Sequence, residues 1–235
     1  MRRLLATLLV CCVAALGAAQ AMPVQVFSRA LLAPNDAVDW AQLPEGASPF
    51  SSPLFVASNR GMTVAADDGV GFSRLTEGTS WIGDFMLGEA LLWTSVDGTD
   101  GGTSTAMLLQ FDRALQGFGL SIQPNYYGPF TATLQLFSDL SPLALFAISA
   151  TSSAAEDGSA PYLGALDSVN SIAGALITIT SPSQNCLDLS LNCGFAINQL
   201  DLRLVPEPSG LALVVLAGLA LVLATRRVAR GERCW

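Results

Sequence analysis

The chain has no histidine and no lysine: all eleven basic residues among its 235 are arginine. Without His there is no Ser-His-Asp or Cys-His pair and no imidazole metal ligand. Without Lys there is no P-loop lysine and no Schiff base. Charged types of any kind make up only 13% of the chain, while apolar types make up 51%. That composition is too apolar for a disordered segment, and the length suits one globular unit better than several. The catalytic chemistry left to the chain is that of carboxylates.

The two ends are apolar in different ways. Arg2 and Arg3 precede an apolar run that finishes in Ala19, Gln20 and Ala21. A basic start, a short greasy stretch and small residues at the cleavage positions predict a secretory signal peptide over residues 1–21, removed by signal peptidase to leave a start near Met22. Cys11 and Cys12 lie inside that run, with bulky Val10 where lipid attachment needs a small residue, so a lipoprotein is not expected. At the other end residues 211–224 are all Leu, Val, Ala or Gly and are followed by Arg226, Arg227, Arg230 and Arg233. A helix over residues 209–225 spans about 25 Å, slightly short of a hydrocarbon core of roughly 30 Å, and the arginines can snorkel to close the gap. Their charge places residues 226–235 on the cytoplasmic side and everything before the helix across the membrane. The expected route is general secretory export through an inner-membrane-anchored intermediate facing the periplasm.

Between fold and helix stand Val205, Pro206, Glu207 and Pro208. Two prolines cannot join a helix or a strand ladder, so they hold the segment extended and accessible, and Glu207 adds one negative charge. The order of Pro-Glu-Pro motif (206–208), apolar helix (209–225) and basic tail (226–235) resembles a PEP-CTERM sorting signal. The resemblance implies a substrate of exosortase, the membrane-embedded transpeptidase-like enzyme of Gram-negative bacteria that make exopolysaccharide. Cleavage is then expected at or near the motif, followed by release to the cell surface or the extracellular matrix. A permanent single-span anchor is the competing reading.

Residues 22–205 carry five Arg against seventeen Asp and Glu, a net charge of −12. Phosphate recognition needs clustered cations, so nucleic acid is not an expected partner. Period-two alternation marks strands. Phe118, Leu120 and Ile122 alternate with Gly119, Ser121 and Gln123, and Ala132, Leu134 and Leu136 alternate with Thr131, Thr133 and Gln135. The continuous run 143–148 reads as a central strand, and 176–180 and 195–204 as two more. In the last, the apolar phase changes at Asn198 and Gln199, which predicts a β-bulge. Turn formers separate these runs, no amphipathic helix is evident, and residues 28–60 read as an irregular strap. The expected fold is all-β, an antiparallel sandwich of jelly-roll type. The segments around Gly88 to Thr94, Tyr127 to Thr133 and Phe195 to Leu200 resemble ectodomains found upstream of such sorting signals. Those are similar to lectin-like or carbohydrate-module sandwiches, and the likeness spans residues 72–204.

Site candidates are few. Asp97 and Asp100, in a Gly-rich turn, offer two carboxylates to calcium but lack the spacing and bidentate Glu of an EF-hand loop. Asp67 and Asp68 offer less. No other metal and no cofactor is implied. Sugar binding would use aromatic faces, for which Trp81, Tyr126 and Tyr127 are the candidates, with Trp93 and Tyr162 behind them and Trp93 expected in a core. Paired carboxylates could serve a glycosidase, but no pair stands out. The reading is therefore a non-enzymatic surface or matrix protein associated with exopolysaccharide. The alternatives are a carbohydrate-binding module with calcium-stabilised loops and, last, a carboxylate-dependent hydrolase. Cys186 and Cys193 are the only pair between the two ends, and six intervening residues let them close a loop in an oxidising compartment. We expect a disulfide contributing about 2 to 3 kcal/mol by loop closure. Mass measurement with and without reductant checks it, and two alkylatable thiols in the native secreted protein would contradict it.

Overall fold

A computed structural model of the chain describes residues 22–45, 49–94, 104–139, 141–180 and 194–205. The expected signal-peptide residues Ala19 and Ala21, Asp97 and Asp100, Cys186 and Cys193, and the expected sorting residues Pro206, Glu207, Pro208, Arg226 and Arg227 lie outside the described residues; Val205 is the last one inside and is exposed. Among the described residues no helix is long and apolar enough to cross a membrane.

The chain is built from strands: β1 (Val24–Val26), β2 (Asp36–Val38), β3 (Leu54–Ala57), β4 (Thr63–Asp67), β5 (Ser73–Thr76), β6 (Ala90–Trp93), β7 (Ala106–Leu115), β8 (Gly117–Pro124), β9 (Gly128–Ser138), β10 (Ser141–Ser152), β11 (Tyr162–Leu166), β12 (Ile172–Thr180), β13 (Phe195–Ile197) and β14 (Leu200–Arg203). One helical turn, α1 (Arg29–Leu32), and one 3-10 turn, Trp40–Gln42, interrupt them. All pairings are antiparallel. One sheet runs β10-β9-β12-β7-β4-β3. The other runs β1-β11-β8-β13-β6-β5, with β14 beside β8 and β2 beyond it.

The two sheets pack face to face as a β-sandwich. From the first come Val64, Leu109, Phe111, Leu134, Leu136 and Ile177; from the second come Phe118, Leu120, Ile122, Phe195, Ile197 and Leu202. Phe111 and Phe118 meet across the interface with ring centroids 5.5 Å apart. Each such side chain taken out of water contributes about 1.5–3 kcal/mol. β9 follows its sequence pattern closely: Phe130, Ala132, Leu134 and Leu136 are buried while Thr131, Thr133 and Gln135 are half-buried. On that outer face Thr133 hydrogen-bonds Thr178 of β12 across the strands, the kind of cross-strand pair that fixes register.

The phase change at Asn198 is a bulge. Ile197 of β13 pairs with Ile122 and Asp201 of β14 with Gly119, so the three residues between them stand against two of β8. Three expectations need correction. The 143–148 run is not a central strand but part of β10, the edge of its sheet, where Leu145 is 68% exposed and Ala147 is also exposed; a continuous apolar run does not by itself distinguish a strand covered on both faces from an edge strand. Residues 28–60 are not an irregular strap. They supply α1, β2 and β3 and bury Leu32, Val38 and Trp40 completely.

The third correction concerns β8. Its Gly119, Ser121 and Gln123 alternate with apolar residues as a wet face would, yet Gly119 and Gln123 are buried and Ser121 is half-buried. A second, smaller core covers this outer side of the sheet: Trp81, Phe85, Leu91, Trp93, Ala160 and Ala196. It forms because the loop after β5 folds back over β6 and β13. Asp84, 2% exposed, locks that loop to the one after β10. Its carboxylate accepts from the Ser153 N–H at 2.7 Å, the Ser153 hydroxyl and the Ala155 N–H at 3.3 Å, while its own N–H donates to Gln123 Oε1 at 2.6 Å. We expect Asp84→Ala to lower the unfolding free energy by about 3 kcal/mol, since several hydrogen bonds to one buried carboxylate are lost together. Urea denaturation checks this, and a loss below about 1 kcal/mol would mean the clamp is not what holds the two loops.

Candidate functional site

The outer face of the larger sheet is covered at both ends and open between them. At one end α1 lies over Gly117, where a Cβ would come within 2.9 Å of Leu32 Cδ1. Tyr162 lies over Gly119, where a Cβ would meet its ring at 2.4–2.6 Å, so only glycine admits the ring there. At the other end stand the loops that Asp84 joins. The gap is a pocket of about 200 Å³ lined by apolar Phe85, Met86 and Ala160 together with Arg29, Glu89, Tyr162 and Asn198, with Ser121 and Gly158 also contributing.

Each polar group there is held from behind. Ser28 caps α1 by accepting from the Leu31 N–H at 3.3 Å, and Ala33, in the left-handed region at φ 49°, ends it. Arg203 then donates to the Leu32 carbonyl at 3.0 Å, fixing the turn to β14. So placed, Arg29 donates through Nε to Asp201 Oδ2 at 2.7 Å; the Asp201 side chain is 2% exposed and that of Arg29 52%. Asp201 also accepts from the Tyr162 hydroxyl at 3.2 Å and from Gln199 at 3.2 Å. The bonded, charged Asp201 holds Arg29 above its ordinary value. Burial first, then the neighbouring Asp201 charge, raises the Tyr162 phenol well above its ordinary range, so it remains a donor.

The bulge positions Asn198. Its Oδ1 accepts from the Ser121 N–H at 2.8 Å, its backbone carbonyl accepts from Trp40 Nε1 at 2.7 Å, and its Nδ2 donates to Glu89 Oε1 at 3.3 Å. Glu89 also accepts from the Met86 N–H at 3.1 Å. A second crevice of about 390 Å³ adjoins this pocket, sharing Arg29 and lined further by Asp36, Asn59, Arg60, Gln199 and Asp201. The pocket therefore brings hydrogen-bond donors and acceptors together with apolar side chains. Its acid Glu89, and Asp201 of the adjoining crevice, are each engaged by protein donors.

The sequence candidates fall elsewhere. Trp81 is 7% exposed and packs against Trp93 at 6.2 Å between ring centroids, so it is a core residue rather than an exposed platform. Tyr126 is half-buried against the main core. Tyr127 is 58% exposed, and its hydroxyl donates to the Ile82 carbonyl at 2.9 Å. None of the three lines the pocket; Tyr162 does. Asp67 and Asp68 accept from the N–H groups of Gly69, Val70 and Gly71, so they build their own turn. Among the described residues no group of three or more His, Cys, Asp and Glu could hold a metal ion. Arg29, Glu89, Asn198 and Asp201 were not legible as a site; the phase break at Asn198 was the one local signal near it.

No family model matches the chain, and no curated protein matches it. Among solved structures it aligns with the enzymatically active domain of bacteriophage CBA120 tailspike protein 4, at 12% identity and a TM-score of 0.25, over 61% of this chain and 18% of that one. This chain thus spans less than a fifth of that protein's length, and a score so low carries no argument about fold or activity.

The loop that carries Phe85, Met86 and Glu89 rests on Glu77, which is 1% exposed and accepts from the Gly83 N–H at 2.7 Å. Burial pushes its carboxyl above the ordinary value; the N–H groups of Gly83, Gly78 and Phe85 offset part of this, and the charge of Glu156 adds to it. The folded chain therefore keeps that proton to higher pH than the unfolded chain. The group's contribution is intact below the ordinary glutamate value and is lost as pH rises through the raised one. Glu77→Gln keeps the acceptor and cannot ionise, so the melting temperature of the variant minus that of the wild type should increase between about pH 4 and pH 7. A difference constant across that range would contradict the assignment.

Proposed function

We propose that this chain is an exported protein of the cell surface or extracellular matrix, sorted through its C-terminal tripartite signal by exosortase and acting by adhesion or structure in association with exopolysaccharide. The observation that carries the reading is the order of Pro206, Glu207 and Pro208, the apolar residues 211–224, and Arg226 and Arg227. The prolines keep a cleavable segment extended, the apolar stretch is just long enough to pause in a bilayer, and the arginines set its direction. The all-β sandwich suits an exported module of jelly-roll type.

The role is non-enzymatic on this reading. With no His or Lys the chain is left with carboxylates, and the two beside the pocket are engaged as fasteners, Glu89 by Asn198 and Met86 and Asp201 by Arg29, Tyr162 and Gln199. A second reading, a carbohydrate-binding module, is favoured by one specific observation: the pocket combines exposed apolar Met86 with the polar groups of Glu89, Asn198 and Arg29.

Protein recovered outside exosortase-proficient cells should end near Pro206, Glu207 and Pro208 and lack residues 211–224, as intact-mass spectrometry would report. Full-length chain ending at Trp235 and retained in the inner membrane would refute the sorting route.

A further inference from the structure

We infer that the pocket beside Arg29 binds one neutral hexopyranose unit of a polysaccharide. A pyranose ring has an apolar C–H face and a rim of hydroxyls. It is held best by a site with an apolar wall and a few fixed donors and acceptors opposite. Met86, 53% exposed, provides the apolar surface, while Phe85 borders the pocket but is itself fully buried, and a volume of about 200 Å³ admits one ring and not a chain. Among the described residues Arg29 gives only Nε to Asp201, and with its side chain half exposed its terminal amino groups can donate to a ligand. Glu89 and the carbonyl-anchored Asn198 line the same pocket, Asn198 held at the bulge and bonded to Glu89 before any ligand arrives. Such preorganisation lowers the entropy cost of binding.

The local charges choose among sugars. Arg29 contributes one positive charge against Glu89 and Asp201, a net −1 around the pocket. Phosphorylated sugars and uronates meet a like charge at Glu89 and are disfavoured, whereas a neutral hexose offers hydroxyl donors to that carboxylate. The adjoining crevice of about 390 Å³ on the far side of Arg29 gives the next unit of a chain somewhere to lie. The mode is thus recognition of one ring with continuation along the sheet. This inference deepens the surface-protein reading and its exopolysaccharide association by naming the ligand class and the site.

The test titrates the full chain, held in a detergent without a sugar headgroup, with the methyl glycosides of glucose, galactose and mannose and with glucuronate, read by ligand-observed saturation-transfer NMR. At least one methyl hexoside should saturate with a Kd of about 1 mM, as expected for a ligand of this size, and glucuronate should bind about tenfold more weakly. Met86→Asp, at a side chain 53% exposed and so tolerant of change, should weaken hexoside binding about tenfold or more while leaving the melting curve in place. Glu89→Gln should weaken the hexoside and narrow the gap to glucuronate. Three outcomes would each overturn the inference: no saturation by any hexoside, undiminished binding by folded Met86→Asp, or a preference for glucuronate. Processing at the C-terminus is read separately by mass, so a correctly trimmed, folded chain that ignores hexosides defeats the pocket alone, and a hexoside-binding chain that is never trimmed defeats the sorting route alone.

Discussion

Strand β8 has to be covered on both of its faces, and most of the structure follows from how that is done. Its inner face, Phe118, Leu120 and Ile122, belongs to the main core. Its outer face carries residues too small or too polar to shield themselves: Gly117, Gly119, Ser121 and Gln123. Other parts of the chain shield them, and each does so by close approach. Leu32 settles over one glycine, Tyr162 over another, and the loops fastened by Asp84 over Gln123. Ser121 is left half-covered, and the pocket forms there because none of the described elements reaches across it. The same constraint that completes the fold thus leaves its most elaborated polar opening.

Buried acids act as fasteners throughout. Asp36 accepts from the Ser58 hydroxyl at 2.5 Å and the Arg60 N–H at 3.0 Å. Asp167 accepts from the Ser171 hydroxyl at 2.5 Å and its N–H at 3.0 Å. In a segment with five arginines and no lysine, cations are too few to neutralise seventeen acids. Hydroxyl and backbone N–H donors supply most of the compensation at these sites, and such charge-assisted bonds tie loops down in a directed way. Asp201 is instead bonded to an arginine, and it is there that the chain places its candidate site. The electrostatic scarcity visible in the composition and the location of the pocket are in this sense connected.

Much of the strand plan was legible from side-chain periodicity. The alternation along β9 reports one face in the core and one toward solvent, and the phase slip at Asn198 reports an extra residue in the ladder, because period two admits no other way for the apolar face to change sides. Legibility failed where burial came from elsewhere. Gly119 and Gln123 look like solvent-facing positions because nothing local says that Tyr162, forty-three residues on, will lie across the first and a loop across the second. The run 143–148 looks central because an edge strand tolerates apolar residues on its open face. Trp81 looked like a platform for a ligand, but a large aromatic in a loop is as readily recruited to brace it.

By itself the sequence determined the repertoire and the grain of the molecule. Lacking His and Lys, it left only carboxylate chemistry, and its alternating residues made it a protein of strands. Those are properties of residue identity and of near neighbours, and they hold whatever the chain does at long range. The pocket was decided by tertiary structure alone. Arg29, Glu89, Tyr162 and the Asn198 to Asp201 segment come from four separate stretches, brought within hydrogen-bonding reach by antiparallel pairings around β8. Local periodicity carries no information about which strands pair, since that choice rests on loop closure and on the fit of two whole faces.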